Sequence, residues 1–539
     1  MKRRTFLQTT ALGGGLALAK PASLLASKEA VETPCLPKDF ELEELSLSDL
    51  QDGMKSGRFT AHSLVRRYIE RITDVDRGGP KINSIIEINP EAAAIADALD
   101  QERKQGRVRG PLHGIPILIK DNIDTGDRMM TTAGSLALEG SHAVRDSFVA
   151  KKMRDAGAII LGKTNLSEWA NFRSNHSTSG WSARGGQTKN PYVLDRNPCG
   201  SSSGSGAAAA ANLCGAAIGT ETDGSVVCPS SANSLVGIKP TVGLVSRSGI
   251  IPISHSQDTA GPMARTVRDA AILLGALTGV DASDALTKTS AVKSFTDYTQ
   301  FLDKDGLRGA RLGVARKYFG FNDRVDKLMT ALISELKTLG AVVIDPADIP
   351  TSGKFDESEL EVLLYEFKAD LNAYLARLGS SARVRSLKEV IEFNEKNSTR
   401  EMPYFGQDLF IKAEAKGPLT SKQYLSALRK NHSLTRTEGI DFVMKKNRLD
   451  ALIAPTGGPA WPTDWINGDH FTGGYSSASA VAGYPHITVP GGHVFGLPVG
   501  ISFFGGAWSE PKLIKFAYAF EQATNARRPP RFMTTADLV

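Results

Sequence analysis

Two glycine- and serine-rich turns near the middle of the chain concentrate the residue types that acyl transfer needs. They lie at residues 200–206 and 219–225, within the run CGSSSGSGAAAAANLCGAAIGTETDGS of residues 199–225. Glycine permits positive φ and a close approach of the main chain to a ligand. A serine hydroxyl can act as a nucleophile, and free backbone N–H groups in such a turn can stabilise an oxyanion. The pattern therefore points to an acyl-transfer site.

A lysine at the end of an apolar run is the candidate proton acceptor. Residues 111–121 have the sequence PLHGIPILIKD, in which 115–119 predict a buried strand followed by Lys120. Burial disfavours the charged ammonium group and lowers its pKa, so that a neutral lysine can serve as a general base. Taken alone, however, a strand-end lysine is usually solvated, and a serine in a glycine-rich turn usually only makes the turn.

The elements around the two turns must bring the hydroxyls and the lysine together. The alanine-rich run 207–213 predicts a tightly packed helix between the turns, followed by a short strand. Upstream, residues 45–57 and 61–75 predict amphipathic helices, the second with Thr60 as its N-cap. Short strands and helices alternate over much of the remaining chain, which favours an α/β fold.

The N-terminal segment has the features of an export signal. Residues 1–26 begin with Lys2, Arg3 and Arg4, continue with a weakly apolar stretch and contain no acidic residue. The arginine pair resembles a twin-arginine signal, so we expect export to the periplasm or out of the cell. Residues 27–539 are expected to form a single large domain, with a mainly helical segment at about 357–450 that covers one edge of the site.

Composition excludes several classes of partner. The formal net charge of +6 includes four positive charges in residues 1–26, so the surface gives no case for nucleic acid or an anionic membrane. No later apolar run reaches the roughly 20 residues of a membrane span. The chain has no HExxH or CxxC pattern, and we expect neither a metal nor another cofactor. Cys199 and Cys228 flank the proposed site and are expected as buried free thiols, although an oxidising compartment would allow them to pair.

Two further patterns suggest other chemistry and are rejected on context. Residues 157–164 fit the phosphate-loop pattern GxxxxGKT, but the apolar strand lies between the glycines rather than before the first one. Residues 200–204 fit the GxSxG elbow with Ser202 as nucleophile, but the preceding segment NPYVLDRNP is polar rather than an apolar strand.

Long motifs carry a resemblance to a known family. PLHGIPILIKD, LGKTNLSEW, CGSSSGSG, GTETDGS and GYPHITVP resemble the amidase signature family, and the two serine-rich motifs are most similar to its bacterial peptide amidase branch. The resemblance covers most of the chain. It implies the amidase signature fold, an α/β fold with a central mixed β-sheet covered by helices on both faces.

The resemblance also implies a catalytic set of two serines and a lysine. Carried over to the matching positions, Ser225 is the nucleophile, Ser201 is the bridging serine held by a cis Gly200–Ser201 peptide, and Lys120 is the base. Because Lys120 must be neutral to accept a proton, activity should rise toward alkaline pH. The backbone N–H groups of the turn are the expected oxyanion donors, and they belong to Thr222, Asp223, Gly224 and Ser225.

The expected reaction is the hydrolysis of a carboxamide to carboxylate and ammonia through an acyl-enzyme on serine. The branch resemblance favours the C-terminal amide of peptides, with aryl or aliphatic amides as the alternative. An exported protein that binds amides or peptides without turnover is the non-enzymatic alternative. Residues 131–135, 174–186 and 475–479 are the expected recognition segments, and we expect a monomer.

Overall fold

The computed structural model describes residues 39–379 and 382–538, so the expected export signal lies outside the described residues. The described residues belong to one compact unit, residues 35–539. None of the helices in these ranges is both long enough and apolar enough to span a bilayer.

The central element is an eleven-stranded mixed sheet, with a separate two-stranded hairpin beside it. In chain order the strands are β1 (Ile85–Ile88), β2 (Pro116–Lys120), β3 (Ile159–Thr164), β4 (Trp181–Ser182), β5 (Gly186–Gln187), β6 (Ala216–Glu221), β7 (Val236–Lys239), β8 (Thr259–Ala264), β9 (Arg311–Val314), β10 (Val342–Ile344), β11 (Ala451–Pro455), β12 (His486–Val494) and β13 (Leu497–Phe504). The large sheet has the order β1-β3-β2-β6-β8-β7-β12-β13-β11-β9-β10, and β4 pairs with β5.

The described residues form sixteen α-helices, several of which pack against the strands of the large sheet. They are α1 (Leu47–Lys55), α2 (Ala61–Arg71), α3 (Ala92–Lys104), α4 (Phe148–Asp155), α5 (Ser203–Ala210), α6 (Val227–Ala232), α7 (Val267–Leu277), α8 (Asp323–Thr338), α9 (Asp356–Leu375), α10 (Leu387–Lys396), α11 (Ser398–Glu401), α12 (Asp408–Glu414), α13 (Lys422–His432), α14 (Asp441–Asn447), α15 (Ser477–Ala482) and α16 (Glu510–Thr524). Six of them, α9 to α14, follow one another between β10 and β11.

Burial along the strands explains why the sheet forms where it does. Every residue of β2, β3, β6, β8 and β13 is buried, so both alternating faces of these strands are covered. The predicted α/β fold with a central mixed sheet is therefore confirmed. The strand β2 is parallel to both of its neighbours, β3 and β6, which places its carboxyl end, Lys120, beside theirs.

Local capping fixes the start of the second predicted helix. The Thr60 hydroxyl accepts a hydrogen bond from the Ser63 N–H, and the Ser63 hydroxyl accepts one from the Thr60 N–H. This reciprocal cap satisfies N–H groups that a helix end leaves without partners. Thr60 is thus the N-cap that the sequence predicts. The helix differs from prediction at its other end, where a π-helical turn, Ile72–Arg77, replaces the α-helix.

Candidate active site

The end of β2 delivers Lys120 into the protein interior. Its side chain is fully buried, and its ammonium group donates hydrogen bonds to Ser201 Oγ at 2.8 Å and Thr220 Oγ1 at 2.9 Å. Burial lowers the pKa of Lys120 to about 7, against the opposing charges of Asp258 and Glu221. A substantial fraction of Lys120 is therefore neutral near pH 7 and able to accept a proton.

The turn before α5 presents Ser201 to that lysine. The Gly200–Ser201 peptide is cis, as the resemblance implies. Ser201 is completely buried, and its carbonyl oxygen accepts a hydrogen bond from the Ser167 N–H at 3.1 Å. A side chain at position 200 would come within 2.2 Å of Ser167 Oγ, so only glycine fits there. The hydroxyl of Ser201 is consequently fixed at the lysine.

The second turn, residues 222–225, holds Ser225 next to the first. The Ser202 N–H donates to the Ser225 carbonyl oxygen at 3.2 Å, which joins the two turns through the main chain. Ser225 is 8% exposed, and its hydroxyl makes no hydrogen bond to any other described residue. Lys120 and Ser201 are thus in direct contact, whereas Ser225 lies beside them with its hydroxyl unengaged.

The backbone N–H groups predicted to bind the oxyanion donate to no protein group within the described residues. There, none of the backbone N–H groups of Thr222, Asp223, Gly224 and Ser225 has a hydrogen-bond acceptor. Gly224 has a φ of +76°, a conformation that favours glycine and turns the chain at this point. Just beyond, the Glu221 carboxylate accepts hydrogen bonds from the N–H groups of Val226 and Val227, at 2.7 and 3.0 Å. The turn therefore keeps four donors free for a ligand.

Side chains of the turn are tied down on both sides. Thr222 Oγ1 donates to Asp258 at 2.6 Å, and Ser477 Oγ donates to Asp223 at 2.6 Å. The first helical residue of α15 thus contacts the turn, within one of the expected recognition segments. The closeness of Asp258 and Arg265 in the stretch SQDTAGPMART suggests either an ion pair behind Ser225 or a surface turn, and the ion pair does not form. Asp258 accepts from backbone N–H groups of Ile253 and Ser254, whereas Arg265 donates to main-chain carbonyls elsewhere.

The two cysteines that flank the site form a disulfide. Cys199 and Cys228 are joined, and Cys214 is the buried free cysteine of the described residues. The expectation of free thiols is therefore wrong. The physical reason is that the connection through α5 and β6 returns the chain to its starting point, so residues 29 apart in sequence meet with a Cα–Cα distance of 6.0 Å. The bond links the turn that carries Ser201 to the helix that follows Ser225.

Thr220 is a site residue that the sequence does not single out. Its hydroxyl accepts from both Lys120 and Asn122, the latter at 3.0 Å, and its carbonyl accepts from Ser202 Oγ. The sequence signal that could have identified Thr220 is its position in the motif GTETDGS, one residue before the end of β6. Thr220 orients the lysine amine through its hydroxyl. Its carbonyl oxygen accepts the hydrogen bond of the Ser202 hydroxyl, so Ser202 is not the nucleophile of a GxSxG elbow.

The other rejected pattern is also settled by geometry. Lys163 lies within β3, fully buried, and donates to the Ile123 carbonyl oxygen at 2.6 Å and to Thr131 Oγ1 at 2.9 Å. A phosphate loop needs its lysine free to reach a nucleotide. Residues 157–164 therefore form a turn and the strand β3, Ile159–Thr164, and not a phosphate site, as expected.

One group of side chains outside the catalytic turns has metal-ligand types. Ligand atoms of His255, Glu366 and Asp370 lie within 4.8 Å of one another. However, both ring nitrogens of His255 are already engaged, Nδ1 with Asp370 at 2.8 Å and Nε2 with Glu366 at 3.3 Å. Burial lowers the pKa of His255, but the two carboxylates outweigh it and raise the pKa overall. The group is an ion-pair network that ties α9 to the segment before Asp258.

Comparison with known proteins places this geometry in a family. The Amidase family model matches residues 63–514. The native peptide amidase of Stenotrophomonas maltophilia is 51% identical, with a TM-score of 0.87 and coverage of 92% of this chain and 100% of that one. An amidase family protein of Bacillus anthracis is 36% identical, with a TM-score of 0.83 and coverage of 91% and 93%.

The chain is also similar in sequence to a family member of a different type. A glutamyl-tRNA(Gln) amidotransferase subunit of Pseudomonas aeruginosa is 33% identical over 514 residues, which cover 91% of this chain and all of the relative. The family model and the solved structures thus agree over most of the described sheet and helices. The chain belongs to the amidase signature family and is a hydrolase of amide C–N bonds.

Proposed function

We propose that this amidase hydrolyses the C-terminal carboxamide of peptides to the free acid and ammonia, with Ser225 as nucleophile. The observation that carries the mechanism is the buried hydrogen bond of 2.8 Å between Lys120 and Ser201, set beside a turn with four unengaged N–H groups. The peptide substrate is supported by similarity to the solved peptide amidases. One of them, 52% identical to this chain, is a complex with the competitive inhibitor chymostatin.

Proton transfer starts at the lysine. Neutral Lys120 accepts the proton of Ser201 Oγ as Ser201 Oγ accepts the proton of Ser225 Oγ, and Ser225 Oγ forms a bond to the amide carbon. A serine hydroxyl is a weak nucleophile unless a neighbour removes its proton in this way. The resulting tetrahedral oxyanion is stabilised by the N–H groups of residues 222–225, where loss of one such donor typically costs about 3 to 4 kcal/mol.

Collapse of the tetrahedral adduct breaks the C–N bond. The departing nitrogen receives the proton that Lys120 holds, relayed through Ser201, and leaves as ammonia. Water then attacks the ester of Ser225 with the same pair acting as base, which releases the carboxylate and restores the serine hydroxyl. The lysine therefore acts first as base and then as acid, a role that suits a pKa close to the working pH.

Ammonia release from a panel of amides tests this function. The panel contains a C-terminally amidated peptide, an aryl amide and a small aliphatic amide, with the wild type, Ser225→Ala and Ser202→Ala assayed in parallel. We expect the highest kcat/KM with the peptide amide, no turnover by Ser225→Ala, and retained turnover by Ser202→Ala. Ammonia release from only the aryl or aliphatic amide would show that peptides are not the substrate, but it would leave the roles of Lys120, Ser201 and Ser225 unchanged. Activity that survives Ser225→Ala would contradict the mechanism, and binding without release would favour a binding protein.

We also propose that the protein is exported through the twin-arginine segment of residues 1–26. The disulfide between Cys199 and Cys228 supports this, because disulfides persist mainly in oxidising compartments. Cell fractionation of the full chain and of an Arg3→Lys, Arg4→Lys variant tests the proposal. We expect the wild type in the periplasm or medium and the variant in the cytoplasm, and equal distributions would overturn it.

A further inference from the structure

One loop touches both catalytic turns. Residues 456–476 connect β11 to α15, and near the start of the loop Trp461 packs in one cluster with Cys199 and Cys228. At the other end, Ser476 Oγ lies 3.2 Å from the position that a side chain at Gly224 would occupy. The loop therefore spans the site from the turn that carries Ser201 to the turn that carries Ser225.

A half-buried carboxylate, that of Asp469, holds the middle of this loop against the first turn. Asp469 accepts hydrogen bonds from the Ser179 N–H at 3.0 Å, the Ser179 hydroxyl and Trp461 Nε1 at 3.1 Å. The Ser179 hydroxyl in turn lies 3.1 Å from the position that a side chain at Gly200 would occupy. The segment around Asp469 is thus fixed relative to the cis peptide of the active site.

The same loop leaves two aromatic rings exposed. Phe471 is 52% exposed and packs edge-on against Trp461, with ring centroids 5.9 Å apart. Trp465 is 44% exposed and stacks on Tyr404, which is itself exposed, with ring centroids 5.0 Å apart. Both rings are held by a second aromatic residue, so each offers a preorganised apolar surface. Because the loop that carries these rings also contacts both catalytic turns, the rings can bury apolar side chains of a substrate bound at the turns.

We propose that Phe471 and Trp465 bind the apolar side chains of the peptide that precede the scissile amide. The proposal rests on the proposed function and adds the substrate class, which is peptide amides with aromatic or large aliphatic residues near the C-terminus. Trp461 packs against Phe471 and also against the Cys199–Cys228 pair, and an extended peptide advances about 3.3 Å per residue. The residues that directly precede the amide therefore reach the rings.

Steady-state kinetics of Phe471→Ala and Trp465→Ala test this subsite. The substrates are a peptide amide with phenylalanine and leucine before the terminal amide, a matched peptide with glycine and serine there, and acetamide. Loss of one of these exposed rings raises KM for the apolar peptide about tenfold for each variant, because burying an apolar side chain against the ring on binding is worth roughly 1.5 to 3 kcal/mol. The kcat for that peptide, and all constants for the other two substrates, stay at wild-type values because the lost contact is equal in ground and transition states.

The controls separate this inference from the proposed function. Phe442→Ala removes an equally exposed phenylalanine on α14, 47% exposed, and leaves all constants unchanged. Wild-type protein that releases no ammonia from any peptide amide would overturn the proposed function. Wild-type turnover of peptide amides with unchanged KM in both aromatic variants would overturn the subsite alone, as would an equal loss on all three substrates.

Discussion

The carboxyl end of β2 and the strand beside it, β3, each bury a lysine completely, yet the two lysines have different surroundings. The strands are parallel neighbours, with Ile119 opposite Lys163 and Lys120 opposite Thr164. Lys120 contacts two hydroxyls, those of Ser201 and Thr220, and the Thr220 carbonyl oxygen at 3.3 Å. Lys163 contacts the Ile123 carbonyl oxygen and one hydroxyl, that of Thr131. Burial lowers the pKa of both lysines.

The charges around the two amines also differ. Four carboxylates oppose the effect of burial at Lys163, and they are those of Asp121, Asp124, Asp127 and Glu87. Two carboxylates, Asp258 and Glu221, do so at Lys120, whose pKa falls to about 7. Burial alone therefore does not make a lysine a base. Lys120 differs from Lys163 in two ways. It contacts the hydroxyl of Ser201, which can pass on a proton, and fewer carboxylates stabilise its charged form.

The largest effect is expected from removal of the base. Lys120→Met should lower kcat/KM for the peptide amide by about 1,000-fold, within the range for loss of general base catalysis. The variant places a near-isosteric, uncharged side chain at this fully buried position, so its melting temperature should not fall. Ammonia release and thermal unfolding measure the two quantities. A variant with more than a tenth of the wild-type activity would show that Lys120 is not the base.

The neighbouring lysine should show the opposite pattern. Lys163→Met leaves Asp121 and Asp124 without its positive charge, and breaking such a buried charge arrangement costs about 3 to 5 kcal/mol of the free energy of unfolding. Denaturant unfolding measures that loss, and kcat per folded molecule should stay close to wild type. If Lys163→Met instead lost turnover while keeping its stability, the contrast between the two strands would be wrong.

A smaller loss of kcat/KM is expected when Thr220, which orients the Lys120 amine, is replaced. Thr220→Val removes a hydroxyl that accepts from Lys120, which should lower kcat/KM about tenfold, as for loss of a hydrogen bond to a charged group. The lost acceptor also destabilises the ammonium form, so the pKa of Lys120 falls and the inflection of the pH–rate profile moves to lower pH. Thr220→Ser keeps the hydroxyl and should restore both values. Equal profiles for the two variants would show that the hydroxyl does not orient the base.

Local features of the fold could be predicted because they depend on neighbouring residues. The apolar run before Lys120 forms a strand, and Thr60 caps a helix, for reasons contained in a few adjacent side chains. The α/β class follows from the alternation of such segments. The end of the second helix could not be placed, because the π-helical turn at Ile72–Arg77 has no distinct local pattern.

The site depends on contacts between distant segments, and there the residues alone were not sufficient. Lys120 and Ser201 are 81 residues apart, and only the family motifs suggested that they act together. The pairing of Cys199 with Cys228 required the path of the chain through α5 and β6. Asp258 and Arg265 are close in sequence, but main-chain groups satisfy both, so proximity suggested an ion pair that does not form.

The pH dependence of kcat/KM tests most directly the claim that neutral Lys120 is the base. An N-acetylated peptide amide without ionisable side chains has no group that titrates between pH 5 and about 9, so with this substrate the profile reports the free enzyme. Deprotonation of Lys120 creates the active form, and its pKa is about 7. We predict that kcat/KM rises with pH through a single inflection near pH 7 and is level above it, and that Lys163→Arg keeps that inflection. A profile that is flat, or that falls as pH increases through 7, would contradict the account.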